Sequence, residues 1–219
     1  MNKELVISLY DKNIDWINNI NENVKITIYR KGNLSSHPNE IFIENNVGRD
    51  VHTFFSHIVN NYNSLSDYTF FSQDFPFDHI GNYVEIINGD ENTWNHYSTQ
   101  HFAGYWGYHW NNFGTMWNLS VSGQFGGRVL VCDEFGNPQH HGLNLRPFWD
   151  YIFETDMPYV LEFTPGAHFS ISKEQVHLRS LNFYKKIVNL LEENPDTPWA
   201  IERFEPYIFH PSIKVKNDK

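Results

Sequence analysis

The chain has a single cysteine, Cys132, among its 219 residues. A lone thiol excludes an internal disulfide framework and a cysteine-rich zinc site, and points to a buried, reduced side chain. Positive charge is also scarce: 16 Lys and Arg stand against 26 Asp and Glu, a formal net charge of −10. Nucleic acid is held chiefly by clustered Lys and Arg, and no such cluster occurs, so no nucleic-acid partner is expected. Nowhere do about 18 consecutive apolar residues occur, and Met1 to Tyr10 hold only a short apolar run without a cleavage-site pattern. No membrane span and a cytoplasmic location are the expectations. The sequon matches at Asn33-Leu34-Ser35 and Asn118-Leu119-Ser120 then read as chance in an Asn-rich chain. Also missing are a Gly-x-Ser-x-Gly elbow, a phosphate loop, a His-Glu-x-x-His pair and a dinucleotide fingerprint.

What is present is enough to fold. Hydrophobic residues make up 40%, aromatics 17% and charged residues 19%, far from the composition of a disordered chain. The length suits one domain, residues 1–210, followed by a polar tail, 211–219. Residues 4–10 form an apolar run and 24–30 alternate with period two, so both read as strands around a short helix from Asn13 to Ile20. A strand at 40–44, a helix carrying Val51, Phe54, Phe55, Ile58, Val59 and Tyr62 on one face, and a strand at 68–72 follow, with Asp50 placed as the helix N-cap. Alternation of this kind predicts an α/β fold with a mostly parallel central sheet, helices on both faces and ligands at the carboxyl ends of the strands. From Gly89 to Phe125 the chain is aromatic and aperiodic, which suits an acceptor side; Trp94, Trp106, Trp110 and Trp117 could stack on sugars or simply pack. His96, His101, His109, His140 and His141 lack ligand spacing. Strands at 129–132, 159–163 and 168–171 and helices at 147–153, 180–193 and 198–209 complete the prediction.

The richest chemistry lies just after the 68–72 strand. Gln73 to His79 bring two carboxylates, an imidazole and an amide into seven residues, suited to a hard divalent cation and phosphate oxygens. Asp74 and Asp78 are the candidate ligands, with Pro76 stiffening the turn; the alternative is that Asp78 caps a helix starting near His79. Arg49, at a helix N-terminus, could hold phosphate or sugar, or make a surface ion pair. Asp50 could touch a sugar hydroxyl. Glu202 could serve as a general base on the acceptor side or pair with Arg203.

Several segments in order carry a family resemblance: Ser8-Leu9-Tyr10 with Asp15-Trp16, Asn46 to Asp50, Phe71-Ser72-Gln73 through Pro76 and Asp78-His79, Gly166 to Phe169, and Trp199 with Glu202-Arg203. Together they resemble a family of GT-A-like glycosyltransferases of bacteria, fungi and large viruses, one of which is the N-terminal domain of a chlorella-virus capsid-glycosylating enzyme. The resemblance runs from about residue 4 to residue 209. It implies a GT-A (nucleotide-diphospho-sugar transferase) fold and transfer of a hexose or deoxyhexose from a nucleotide-sugar donor, UDP-linked first of all, to a glycan or glycoprotein acceptor. It also implies a divalent metal, Mn²⁺ or Mg²⁺, on Asp78 and Asp74 with His168 as a third ligand, and donor contacts from Tyr10, Asp11, Arg49, Asp50 and Gln73. Asp78 is favoured as metal ligand, and Asp78 and Glu202 as the catalytic pair. For Asp11 a helix cap, and for His168 a buried hydrogen-bonded imidazole, are the structural alternatives. A carbohydrate-binding module without catalysis and a metal-dependent hydrolase are the rival functions.

Overall fold

The structure, a computed structural model, describes residues 1–33, 37, 40–43, 46–97, 111–112, 117–120, 131–132, 138–139, 143–164, 166, 168–210 and 212–216. For residues 95–97 and the four short segments between 111 and 139, only the backbone is described. The aromatic residues Trp106 and Trp110, the histidines His101, His109, His140 and His141, and the turn residues Pro165 and Ala167 therefore lie outside the described residues, as do the side chains of His96, Trp117 and Cys132.

Four strands, β1 (Lys3–Leu9), β2 (Val24–Arg30), β3 (Glu40–Phe42) and β4 (Tyr68–Gln73), run parallel to one another. Short pieces β5 (Asn111–Asn112), β6 (Trp117–Ser120), β7 (Val131–Cys132) and β8 (Pro138–Gln139) lead to β9 (Val160–Phe163) and β10 (Phe169–Ser172). The main sheet has the order β3-β2-β1-β4-β10-β5, in which β10 is antiparallel to β4 and β5. The sheet is thus mixed, with a parallel half built by crossovers and an antiparallel edge. Two small antiparallel ladders, β6 with β9 and β7 with β8, stand apart from it.

Period-two alternation sends successive strand residues to opposite faces. On one face Val6, Phe71 and Phe169 meet helices α1 (Arg49–Asn61), α6 (Leu181–Glu193) and α7 (Thr197–Ile208). On the other, Leu5, Ile7, Leu9 and Phe70 meet the 3-10 turn Asp15–Asn19, α2 (Tyr83–Asn88) and Trp94 of α3 (Glu91–Tyr97). Helices α4 (Arg146–Ile152) and α5 (Lys173–Val176) complete the first layer, Trp149 and Val176 belonging to its core. Burial of Phe54 and Phe55, both fully inside, stabilises α1 against the sheet by about 1.5–3 kcal/mol per ring.

Several local expectations change. Residues 13–20 form a five-residue 3-10 turn, Asp15–Asn19, not a full helix. No helix starts near His79: a 3-10 turn, Pro76–Asp78, comes first and α2 begins at Tyr83, so Asp78 is no helix cap. Asp50 is no N-cap either, because α1 begins at Arg49 with Gly48 as its N-cap, where a φ of 63° favours glycine. Trp94 is 1% exposed, packed on Tyr68 and Phe70, and presents no face to a sugar. Residues 212–216, assigned to a polar tail, fold back: Val215 is buried and bridges to Phe153, and the Ile213 carbonyl accepts from the Arg179 guanidinium. Among the described residues, no helix is long and apolar enough to cross a membrane.

Candidate active site at the carboxyl end of the parallel strands

The chain leaves β1 toward β2 and β3 on one side and returns to β4 on the other. At such a reversal the following loops part and open a crevice. The loop after β4 reaches into it with Asp74, whose Oδ2 accepts hydrogen bonds from the backbone N–H groups of Tyr10, Asp11 and Lys12 at 3.0, 3.0 and 2.9 Å. The Trp16 indole N–H donates to the Asp74 carbonyl at 2.8 Å. Three consecutive amides closing on one oxygen form an anion nest, and here the protein's own carboxylate fills it. Asp74 therefore ties the β1 loop to the β4 loop.

Beside this tie lies a pocket of about 460 Å³ lined by Tyr10, Asp11, Lys31, Gly32, Asn33 and Asn46. Tyr10 is half exposed over it. Asp11 is turned outward and pairs with Lys12 at 3.8 Å. Lys31 is buried, and its ammonium donates to the carbonyls of Val47 and Arg49. Burial pushes this ammonium down to about 8, with Asp50 opposing the shift.

Lys31 thereby grips the turn that starts α1. Arg49 itself has a φ of 53°, left-handed for a non-glycine residue, a strain of about 1–3 kcal/mol that surroundings must hold in place. Its guanidinium stacks over the Trp199 ring, 4.5 Å from the centroid. Asp50 follows, accepting from the Gln73 amide at 2.7 Å on one oxygen and from the Val51 N–H at 3.0 Å on the other. Gln73 also reaches the Gly166 carbonyl at 3.4 Å.

Gly166 connects this corner to α7. Its N–H donates to Glu202 Oε1 at 2.7 Å, while Glu202 Oε2 takes a hydrogen bond from Arg203 at 3.3 Å. Burial raises the Glu202 carboxyl, and Asp50 adds to the shift; Arg203, the Gly166 amide and His79 oppose it. Pro206, inside α7, has no N–H to offer the Glu202 carbonyl one turn back. A small pocket lined by Arg49, Asp50, Val51, Gln73, Pro198, Trp199 and Glu202 has a volume of about 30 Å³, room for roughly two waters.

The expected metal trio does not converge. Asp74 Oδ2 is taken up by the nest, and His168 is 2% exposed with neither ring nitrogen hydrogen-bonded among the described residues. Burial, with His79 adding to it, pushes the His168 imidazole down to about 3. Asp78 stands exposed, 3.9 Å from His79 Nε2, and the His79 ring lies 5.5 Å from that of His168. Among the described residues, no three His, Cys, Asp or Glu side chains form a metal-holding group.

The profile of the family described as "Protein of unknown function (DUF3431)" matches residues 5–217. The chain belongs to that family. No curated protein and no solved structure matches the chain.

For this DUF3431 member, Arg49, Asp50, Gln73 and Glu202 come together, whereas Tyr10 and Asp11 line the neighbouring larger pocket. Sequence reading missed Lys31, whose buried ammonium holds the carbonyls of Val47 and Arg49 and carries no local motif. It also missed the Trp199 stack on Arg49 and the position of His79, against whose ring a Cβ on Gly166 would come within 3.2 Å.

Proposed function

We propose that this protein is a glycosyltransferase of GT-A type, moving a hexose or deoxyhexose from a nucleoside diphosphate, UDP foremost, to a hydroxyl of a glycan or glycoprotein. The observation that carries the reading is the adjacency of two spaces at the carboxyl ends of parallel strands. One is a nucleoside-sized pocket at Tyr10, Asp11 and Lys31; the other is a corner holding a guanidinium, Arg49, and a shielded carboxylate, Glu202. The ordered motifs that resemble the GT-A-like family support it.

In this reading the nucleoside occupies the larger pocket and the diphosphate lies toward Arg49, whose charge offsets that on the departing group. Glu202 takes the proton of the acceptor hydroxyl. The acceptor oxygen bonds to the anomeric carbon as the bond from that carbon to the diphosphate oxygen breaks, and the electron pair leaves on the nucleoside diphosphate. A carboxyl raised by burial is a better base near neutral pH than an exposed one. Asp50, held by Gln73, faces the same pocket and is suited to a sugar hydroxyl. A divalent cation such as Mn²⁺ would take protein ligands from the exposed neighbours Asp78 and His79, with phosphate oxygens supplying others, and would neutralise diphosphate charge.

Calorimetric titration with UDP, with and without Mn²⁺, tests the reading. Saturable binding that weakens in Arg49→Ala is expected. Absence of binding at millimolar UDP in both conditions, or binding of free glycan alone, would overturn it.

A further inference from the structure

Glu205 lies on α7 nearly one turn after Glu202 and is 1% exposed. Among the described residues, neither of its carboxyl oxygens has a hydrogen-bond partner. The two charged groups that act on it, Glu202 and Asp50, are both acids. Burial raises the Glu205 carboxyl well above its ordinary range, and Glu202 on the same helix and Asp50 from α1 add to the shift by pushing against a second negative charge. The adjacent cation, Arg203, is directed elsewhere: it donates to the Trp199 carbonyl at 2.6 Å and to Glu202, and lies over the Phe163 ring. His79, beyond Gly166, acts on Glu202.

An ionised carboxylate without hydrogen bonds or a cation is among the costliest groups a protein interior can hold, and the usual escape is to keep its proton. When like carboxyls crowd one region, protonation of one allows the other to ionise. Glu202 has what Glu205 lacks, an amide and a guanidinium on its two oxygens. We propose that the proton is divided unevenly along α7: Glu205 is carried as a neutral carboxylic acid, so that Glu202 stays a carboxylate facing the pocket. Glu205 is then a positioning residue acting through Glu202, and its neutrality leaves the pocket with a usable base. The catalytic meaning rests on the glycosyltransferase reading, but the charge assignment requires no donor, so a protein that fails to bind UDP can still satisfy it.

Infrared spectroscopy of the unliganded protein at pH 7 reads the assignment directly. A carbonyl stretch of a protonated, buried carboxyl is expected in the wild type, retained in Glu202→Gln and lost in Glu205→Gln. Stability gives a second readout. An acid whose folded pKa is raised binds its proton more tightly when folded, so wild-type stability falls as pH rises from about 4.5, the unfolded value, toward the folded one. The folding equilibrium constant of Glu205→Gln relative to wild type should therefore rise about tenfold per pH unit above 5 until Glu205 ionises. If Glu205→Gln does not fold, the band in the wild type and in Glu202→Gln still decides. A band that disappears in Glu202→Gln, no band in the wild type, or parallel stability curves would overturn the proposal.

Discussion

Asp74 and Glu205 are both buried acids on the same chain, 8% and 1% exposed, yet their surroundings are opposite. Asp74 receives three backbone amides on one oxygen; Glu205 receives nothing. The same contrast separates the two sides of the crevice. On the Asp74 side the buried carboxylate is spent on joining two loops. On the α7 side, strain at Arg49 and an opposed carboxyl at Glu202 meet at one small pocket, and Glu205 lies buried behind them on the same helix as Glu202. Satisfied polar groups hold a fold together, whereas groups kept short of partners remain available for chemistry.

The contrast breaks most readily at its satisfied end. Asp74→Ala strands three amide donors and should destabilise the fold by about 3 kcal/mol or more, read as a lower urea midpoint. Gly166→Ala strikes the link between Gln73 and Glu202, since its φ of 102° and the His79 ring 3.2 Å from the new methyl both oppose a side chain. A loss of about 1–3 kcal/mol in urea unfolding is expected, together with displacement of His79 visible in its NMR shifts. Arg49→Gly should act in the other direction. It relieves left-handed strain and raises the melting temperature by the equivalent of up to about 1 kcal/mol, while weakening UDP binding, which marks strain retained for function.

A buried group outside both corners gives the smallest effect and a control. His57 is pushed down to about 4, chiefly by burial, with Glu4 opposing. Between the unfolded value of 6.5 and about 4 the unfolded state binds more protons, so stability should fall as pH drops through that window. His168 and His52 are also held below their ordinary values, so His57→Asn should reduce this slope without abolishing it. At neutral pH the loss of its hydrogen bond with Tyr29 should cost about 1 kcal/mol, measured by urea unfolding at fixed pH.

The parallel half of the sheet was legible because apolar runs and helix-face spacing are local signals: the strand expected at 24–30 and the helix face from Val51 to Ile58 stand where the spacing places them. The antiparallel edge was not, since nothing in the residues of β10 records which way the chain enters. Arg49, Asp50, Gln73 and Glu202 were legible as types worth attention, but their meeting was not. It depends on contacts such as Gly166 with Glu202, 36 residues apart, and Gln73 with Gly166, 93 apart. The nest on Asp74 was not legible, because a carboxylate that accepts three backbone amides and one that binds a metal look the same in one dimension. Asp50 misled because its residue type suits an N-cap, whereas Gly48 supplies the left-handed backbone that starts the helix.

The most direct test of the central claim is an NMR screen of nucleotide sugars for hydrolysis or transfer, run on wild type and Glu202→Gln. Slow turnover of a nucleoside-diphosphate hexose or deoxyhexose by the wild type, reduced about 10²–10⁴-fold in the variant, is the predicted result. No turnover of any nucleotide sugar by the wild type, or equal turnover by Glu202→Gln, would contradict it.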